Sequence, residues 1–162
     1  MLPSARGVGI VEVVTLVPLT EQRFGDFVAL IHALADYEKL EGPDEAAVAR
    51  LRADAFRAPP RFEAVLALDG AGRAVGYAMW FETYSSFLAR PTLYLEDLFV
   101  LEDTRGQGVG SRLFDHVRAL GAQRGCGRME WQVLDWNTSA RDFYARRGAR
   151  TADDWRTCHL TY

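Results

Sequence analysis

The chain has 162 residues, of which 49% are hydrophobic and 25% are charged, and its formal net charge at pH 7 is −3. A chain of this length and composition is expected to fold as one globular domain over residues 1–162, with a core that needs no metal or disulfide. The slightly acidic charge, the lack of Lys/Arg runs and the lack of an apolar stretch of roughly 20 residues argue against nucleic-acid binding and membrane insertion.

Hydrophobic periodicity predicts strands and helices in the order βααβββαβαβ, which is typical of a mixed α/β fold with helices packed on a central sheet. The second and third strands are expected to form a hairpin around the glycine-containing turn at residues 69–73. The strands are predicted at residues 10–17, 62–68, 74–84, 92–101, 128–134 and 155–162. The helices are predicted from Thr20 to near residues 38–43, from Pro43 to before residues 58–60, from Val109 to before residues 124–127, and from Asn137 to Gly148.

Glycines occupy alternate positions in residues 106–110, between the predicted fourth strand and third helix. Ser111 stands where the dinucleotide-binding pattern G-x-G-x-x-G needs its third glycine, and no lysine follows Gly110 as a P-loop requires, so both motifs are excluded. Two interpretations remain open. Either main-chain N–H groups at the helix start bind an anion, helped by Arg105 and Arg112, or the segment is a flexible turn with a glycine cap.

The cysteines and histidines give little support for redox, nucleophilic or metal chemistry. Cys126 and Cys158 lie far apart, form no C-x-x-C pair and flank strand-like segments, so we expect buried, inert thiols. Residues 1–19 lack the continuous apolar region of a signal peptide, so we expect a cytoplasmic location. The histidines lack the spacing of metal ligands, so no metal is expected; they are His32, His116 and His159.

Characteristic motifs follow the two predicted strands that flank the third helix. Residues 105–110, R-G-Q-G-V-G, match the pattern R/Q-x-x-G-x-G/A and lie between the strand YLEDLFV and the helix GSRLFDHVRAL. The segment EWQVLDWNTSARDFYARRGA comes next, with an asparagine before its helix and a tyrosine within it. In this order the motifs resemble those of the Gcn5-related N-acetyltransferase (GNAT) family, most strongly over residues 93–149. LADYEKLE, VGYAMWFETYSSF and YLEDLFV are similar to its spermidine/spermine (diamine) and thialysine acetyltransferase branch.

The resemblance implies a GNAT fold of the α/β class, with a twisted central sheet that is mixed but mostly antiparallel and about four helices around it. It implies an enzyme that moves the acetyl group of acetyl-coenzyme A (acetyl-CoA) to a primary amine of a small cationic substrate, such as a polyamine or a lysine-like amino acid. Attack on the thioester is expected to be direct, in a ternary complex. The branch also implies a homodimer.

The same resemblance implies the cofactor site. The glycine segment becomes the pyrophosphate loop, and the end of the fourth strand offers main-chain groups to the pantetheine arm, like an added strand. The amide of Leu98 or Phe99 is a candidate donor to the oxyanion. Asn137 is expected near the cofactor or a water, and a plain helix N-cap is compatible with that role. The residues implied at the cofactor are Leu98, Phe99, Val100, Arg105, Gly106, Gln107, Gly108, Val109, Gly110, Ser111, Asn137 and Tyr144.

The implied reaction must deprotonate an alkyl ammonium, whose pKa is about 10.4, and must protonate a leaving thiolate. By resemblance Tyr144 is the acid, since a phenol with a pKa near 10 stays neutral until the thiolate needs a proton. The alternative is that Tyr144 and Phe143 are both core aromatic residues. Glu96 is expected at the amine, holding it as a cation or accepting its proton through water; the alternative is a structural hydrogen bond.

Glu96 and Asp97 are adjacent on a strand, so we expect their side chains on opposite faces of the sheet, with Asp97 serving another part of the sheet or a dimer partner. Acidic and aromatic residues near residues 36–41 and on the neighbouring strand are candidates for holding the distal amines of a polycation, and a solvated helix end is the alternative for the first group. The candidate substrate-binding residues are Tyr37, Glu38, Glu82, Tyr84, Glu96 and Asp97.

Two other functions remain open from the sequence. The first is a GNAT enzyme that acetylates a protein N-terminus, a protein lysine or an antibiotic amine. The second is a coenzyme A-binding module that senses or docks without catalysis, and the presence of both Tyr144 and Glu96 argues against it. The acid-rich stretches ADYEKLE and ETYSS favour small polycations.

Overall fold

The computed structural model describes residues 14–162, so residues 10–13 of the first predicted strand lie outside the described part. The chain divides into two compact units, one reaching Trp131 and the other running from Gln132 to Tyr162. A single domain over the whole chain stays a prediction. The strands are β1 (Thr15–Pro18), β2 (Glu63–Leu68), β3 (Ala74–Ser85), β4 (Arg90–Val100) and β5 (Arg128–Glu130). The helices are α1 (Phe24–Glu38), α2 (Glu45–Phe56), α3 (Val109–Gln123) and α4 (Thr138–Ala145).

The first unit carries a five-stranded sheet in the order β1-β2-β3-β4-β5. Neighbouring strands from β1 to β4 are antiparallel, and β5 pairs with β4 in parallel. The predicted mixed, mostly antiparallel sheet is therefore confirmed. The hairpin of β2 and β3 is also confirmed, and its turn is held by Asp69, which accepts hydrogen bonds from the amides of Ala71 and Arg73. β5 is shorter than its predicted span of residues 128–134.

Helices α1 and α3 cover opposite faces of the sheet, which we call the α1 face and the α3 face. Tyr77 and Trp80 lie three residues apart on β3, so their side chains point to opposite sides. Tyr77 packs edge-on against Phe27 of α1, with 5.3 Å between ring centroids. Trp80 packs against His116 of α3 at 6.1 Å. Burying a large apolar side chain such as Phe27 stabilises the fold by roughly 1.5–3 kcal/mol, so both faces contribute to the core.

Capping side chains set several helix starts. The predicted N-cap of α4 is confirmed, because the side-chain oxygen of Asn137 accepts a hydrogen bond from the amide of Ala140 at 3.1 Å. Helix α2 begins after Asp44, whose carboxylate accepts from the amide of Ala47 at 2.7 Å, and not at the preceding proline as predicted. The predicted cap at Thr20 is wrong, since its side chain makes no capping hydrogen bond.

The predicted strand at residues 155–162 is wrong. Within the fully described unit from Gln132 to Tyr162, α4 is the only helix or strand, and residues 151–162 are exposed. A strand needs a neighbouring strand to satisfy its main-chain groups, and this unit contains none. The prediction of buried thiols also fails, because Cys158 in this segment is exposed and Cys126 is only half-buried.

Candidate active site

The glycine segment forms the turn between β4 and α3. Gly106 and Gly108 have φ angles of +77° and +83°, which residues with a Cβ rarely adopt, and Gly108 directly precedes α3. A Cβ at either position would meet nothing within 4 Å, so the space beside the turn is open. The first turn of α3 carries no acidic side chain. Because a helix start attracts anions, this turn fits the pyrophosphate of a nucleotide cofactor.

Arg105 joins the turn to the ends of β4 and α1. Its Nε donates a hydrogen bond to the carbonyl oxygen of Val100 at 2.9 Å. Its guanidinium carbon lies 4.5 Å from the ring centroid of Tyr37 and 5.7 Å from that of Phe99. Cation–π attraction at exposed sites contributes about 0.5–1 kcal/mol. Tyr37 at the end of α1 is thereby fixed beside the first residue of the predicted pyrophosphate loop.

β4 extends beyond its parallel partner. β5 pairs with residues 92–94 of β4, whereas β4 continues to Val100. Among the described residues, no strand pairs with this last part of β4 on the β5 side. The side chain of Phe99 is buried in the core, so it is the main chain of residues 98–100 that can meet an extended ligand arm in the manner of an added strand.

A β-bulge interrupts β4 at Glu96. Leu95 lies opposite Trp80 and Asp97 lies opposite Met79, so Glu96 is an extra residue with no cross-strand partner. A bulge breaks the alternation of side chains and redirects them. The prediction that the two adjacent carboxylates serve opposite faces assumed a regular strand, so it loses that basis at the bulge and stays a prediction.

Asp97 lies beside Tyr77 on the α1 face, and the charges of two further carboxylates, Glu38 and Glu96, act on it. The Tyr77 hydroxyl donates a hydrogen bond to Oδ2 of Asp97 at 2.9 Å. Burial raises the pKa of Asp97 to about 6; the Tyr77 hydrogen bond opposes this rise, and the charges of Glu96 and Glu38 add to it. Burial also raises the pKa of Glu38. Within residues 14–162, none of the three carboxylates forms an ion pair with a basic side chain.

Arg124 holds two other carboxylates on the α3 face. Its guanidinium donates two hydrogen bonds to Glu63, at 2.6 and 2.8 Å, and a third to Glu82 at 3.1 Å. The hydrogen bonds from Arg124 are the main cause that lowers the pKa of Glu63. Tyr84 lies two residues beyond Glu82 on β3, so alternation places it on this side, where it is 68% exposed. The structure therefore does not bring Glu82 and Tyr84 together with the other substrate candidates.

In the second unit, Tyr144 lies on α4, the helix that Asn137 caps. Its ring is edge-on to that of Phe143, with 5.3 Å between the centroids. The guanidinium carbon of Arg147 lies 3.6 Å from the Phe143 ring. The capping of α4 is established by this geometry, whereas the roles of Tyr144 and Asn137 toward the cofactor stay predictions.

Sequence patterns single out neither Tyr77 nor Arg124. The available signal for Tyr77 is a lone phenol in the apolar run of residues 75–81. Arg124 gives no local signal, because its partners Glu63 and Glu82 lie 61 and 42 residues away along the chain. Both interactions depend on how the strands pair.

Residues 14–162 contain no group of three or more His, Cys, Asp or Glu side chains arranged to hold a metal ion. No helix in that range combines the length and the apolar character that crossing a bilayer requires.

Comparison with known proteins identifies close sequence relatives. Residues 27–149 match the model of the acetyltransferase (GNAT) family. The chain is 36% identical over 141 residues to a thialysine N-epsilon-acetyltransferase of Bos taurus, an alignment that covers 81% of this chain and 82% of that protein. It is 42% identical over 86 residues to an L-ornithine N5-acetyltransferase of Arabidopsis thaliana, covering 53% of this chain and 38% of that protein.

Solved structures share the fold. An aminoglycoside N-acetyltransferase in complex with CoA has a TM-score of 0.73 and 20% identity, with 99% of each chain covered. A probable acetyltransferase has a TM-score of 0.78 and 21% identity, covering 91% of this chain and 97% of that chain. The residues matched by the family model include the glycine turn, the bulge and α4. The chain is an enzyme that belongs to the acetyltransferase (GNAT) family.

Proposed function

We propose that the chain transfers the acetyl group of acetyl-CoA to a primary amine of a small cationic substrate, a polyamine or a lysine-like amine. The observation that carries this proposal is the group of Glu38, Glu96 and Asp97 on the α1 face, which has no basic partner within residues 14–162. Uncompensated carboxylates attract cations, and an alkyl ammonium with a pKa of about 10.4 is a cation at neutral pH. Relatives named as thialysine and L-ornithine acetyltransferases support the same substrate class.

In the proposed reaction the amine nitrogen attacks the thioester carbonyl carbon, so a C–N bond forms and the C–S bond breaks. One proton leaves the ammonium and one reaches the departing thiolate. We assign Glu96, which is exposed beside Asp97, to hold the ammonium or to take its proton through water. Tyr144 is assigned to protonate the thiolate, and the main-chain amide of Leu98 or Phe99 is assigned to the oxyanion.

The residues that fit acetyl-CoA lie at the glycine turn and at the far end of β4. Main-chain amides at the start of α3 suit a pyrophosphate, and the main chain of residues 98–100 suits the pantetheine arm. Asn137 is assigned near the cofactor. We expect Gly108→Ala to weaken acetyl-CoA binding about tenfold, because the free turn would relax away from positive φ and its return to the binding conformation costs about 1–2 kcal/mol. Isothermal titration calorimetry measures this, and Gly25→Ala in α1, at a position without positive φ, is the matched control.

A free-thiol assay of CoA release tests the proposal. The panel contains putrescine, spermidine, spermine, lysine, thialysine, an aminoglycoside and a peptide with a free N-terminus. Release with polyamines or lysine-like amines is expected. Release with the peptide or the aminoglycoside alone would favour another kind of GNAT enzyme. Acetyl-CoA binding without release for any amine would favour a non-catalytic module.

The assignment of Tyr144 has its own test. Tyr144→Phe removes only the hydroxyl and is expected to lower kcat about 100-fold, which is the usual contribution of a general acid. The neighbouring variant Phe143→Leu changes packing on the same helix without removing a proton donor, and it serves as the control. A kcat for Tyr144→Phe equal to that of the unmodified enzyme would remove Tyr144 from its assigned role.

A homodimer and a cytoplasmic location complete the proposal. The turn between β3 and β4 exposes Phe87 at 95%, with Tyr84 and Leu88 beside it, and exposed apolar patches often mark protein contacts. Light scattering during size-exclusion chromatography is expected to give twice the chain mass of 18.2 kDa. Phe87→Ser is expected to shift the protein toward the monomer, and a wild-type protein that is monomeric at all concentrations would contradict the dimer.

A further inference from the structure

Tyr77 has an unusual position for a phenol. It is 0% exposed, and its ring lies edge-on to Phe27 of α1 at 5.3 Å and tilted against Phe99 of β4 at 6.5 Å. A phenylalanine would fill the same space, so packing alone does not require the hydroxyl. That hydroxyl donates its proton to Oδ2 of Asp97 at 2.9 Å.

Asp97 depends on this hydrogen bond because its other titratable neighbours are acids. Glu38 faces it from α1 and Glu96 from β4, and both charges raise the pKa of Asp97, as does burial. Tyr77, from β3, is the neighbour that lowers it. Within residues 14–162, the other carboxylate oxygen, Oδ1, has no hydrogen-bond partner.

We propose that Tyr77 is a positioning residue of the amine site: its hydroxyl fixes Asp97 through Oδ2 and keeps the carboxylate charged, so that Oδ1 is presented to the ammonium group of the substrate. This inference rests on the proposed function, since it takes the α1-face carboxylates to be the amine site. Tyr77 touches neither substrate nor cofactor in this role. It acts only through Asp97, and its effect therefore follows the ionisation of that group.

Tyr77→Phe tests the proposal through the pH profile. Without the hydrogen bond, the pKa of Asp97 rises above about 6, so a smaller fraction of the enzyme carries the charge near neutral pH. We expect kcat/KM for the amine to fall about fivefold at pH 6, in line with a pKa rise of about one unit, and to stay within about twofold at pH 8.5. The KM for acetyl-CoA is expected to be unchanged.

Two results for Tyr77→Phe would overturn the proposal. One is an equal loss of kcat/KM at every pH, as a purely structural role predicts, and the other is a pH profile of kcat/KM that does not change. Tyr94→Phe is the matched control, because it removes a phenol from β4 that has no hydrogen bond to Asp97. Asp97→Asn is the second variant and retains an acceptor for the Tyr77 hydroxyl. In this background Tyr77→Phe should no longer shift the acidic limb of the profile, and a shift of that limb in the double variant would also overturn the proposal.

A direct measurement separates this inference from the proposed function. Carbon-13 NMR of labelled aspartate side chains follows the titration of Asp97 without any turnover. If the midpoint of the Asp97 titration rises in Tyr77→Phe, the result supports the proposed effect of Tyr77 on Asp97 even if no amine in the panel is acetylated. An unchanged midpoint refutes that effect. If amines are acetylated but the profile of Tyr77→Phe is unchanged, the proposed function stands and the role of Tyr77 falls.

Discussion

The carboxylates Glu63 and Asp97 lie on opposite faces of the sheet, and their pKa values are shifted in opposite directions. On the α3 face, Glu63 receives two hydrogen bonds from Arg124, and its pKa is lowered. On the α1 face, Asp97 has a phenol as its partner and two acids as neighbours, and burial raises its pKa to about 6. The α3-face group completes an ion pair within the protein. The α1-face group keeps negative charge that no basic side chain among residues 14–162 compensates.

The linkage between pH and stability has opposite signs at these two sites. Asp97 holds its proton more tightly when folded, so ionising it destabilises the native state increasingly from about pH 4 to about pH 6, by about 3 kcal/mol in full. The stabilising contribution of Glu63 is present above the usual carboxyl pKa and is lost as the pH falls through its lowered folded pKa. The Glu63–Arg124 pair is near the surface, so its contribution is at most about 1 kcal/mol. Retaining a costly charge is typical of a functional site.

The largest expected effect comes from neutralising Asp97, the half-buried carboxylate of the α1 face that Tyr77 holds. Asp97→Asn keeps the size of the side chain and the hydrogen bond from Tyr77 but removes the charge. We expect kcat/KM for the amine to fall about 100-fold, as is usual when one partner of a desolvated charge pair is lost. Acetyl-CoA affinity, measured by calorimetry, should stay within about twofold. A loss smaller than about threefold would break the proposed contrast between the faces.

The same variant is expected to be more stable than the wild-type protein. At pH 7 the free energy of unfolding should rise by about 1–2 kcal/mol, less than the full cost of the charge because the asparagine amide must also lose water. At pH 4 the difference should vanish, since Asp97 is then protonated in the native state. Urea unfolding at pH 4, 5.5 and 7 measures the free energy of unfolding of the variant and of the wild-type protein. A stability gain that is the same at every pH would show that it does not arise from the charge.

A smaller effect is expected at Glu38, on the helix that covers the α1 face. Glu38→Gln removes one of the negative charges that attract the ammonium group, so we expect the KM for the amine to rise about fivefold with kcat nearly unchanged. Steady-state kinetics at two salt concentrations measures this, and the effect should shrink at high salt because charges screen. Glu41→Gln, an exposed acid just beyond α1, is the control and should leave the KM unchanged.

On the α3 face we expect an effect on stability and none on catalysis. Arg124→Gln removes the partner of Glu63 and Glu82, so the free energy of unfolding at pH 7 should fall by about 1 kcal/mol. The kinetics toward the amine should stay within about twofold. Chemical unfolding measures the free energy of unfolding, and the thiol assay measures the kinetics toward the amine. If this variant altered the amine KM as strongly as Glu38→Gln, the division of roles between the faces would be wrong.

The smallest expected effect is at Glu82. Glu82→Gln loses one exposed contact to Arg124, while Arg124 keeps its two hydrogen bonds to Glu63. We expect a change in unfolding free energy below about 0.5 kcal/mol and an amine KM within about twofold of wild type. A clear rise in the amine KM would restore Glu82 to the substrate-binding residues that the sequence predicts.

Much of the fold was predictable because it depends on local signals. The helices carry periodic apolar stripes, the β2–β3 hairpin has a glycine-containing turn, and Asn137 is a typical N-cap. The strand at residues 155–162 was predicted wrongly, because alternation does not tell whether a neighbouring strand exists. Family resemblance implied Glu96 at the amine, and the acids at the end of the first helix indicated Glu38, but nothing in the local spacing brings Glu38 to Asp97.

The sequence could not predict the features that depend on how the strands pair. The bulge at Glu96 is a property of two strands together, and the sequence of neither strand by itself marks it. Tyr77 and Asp97 are 20 residues apart in the chain. They meet because β3 and β4 are neighbouring strands and both side chains point to the same face of the sheet. The same holds for Arg124, which reaches two carboxylates on β2 and β3 from the end of α3.

The bulge at Glu96 constrains the number of residues in β4 more than their identity. Replacing Glu96 changes one exposed side chain and leaves the pairing of Leu95 and Asp97 with β3 intact. Deleting it would remove the extra residue, so that one half of the strand would have to turn its side chains to the opposite faces or slip in register. Asp97 and Phe99 would then leave the α1 face, or the residues before Leu95 would change faces instead. For anyone who mutates or recombines this gene, a substitution at position 96 therefore tests the role assigned to the Glu96 carboxylate with the strand pairing kept, whereas a one-codon deletion there changes the fold itself.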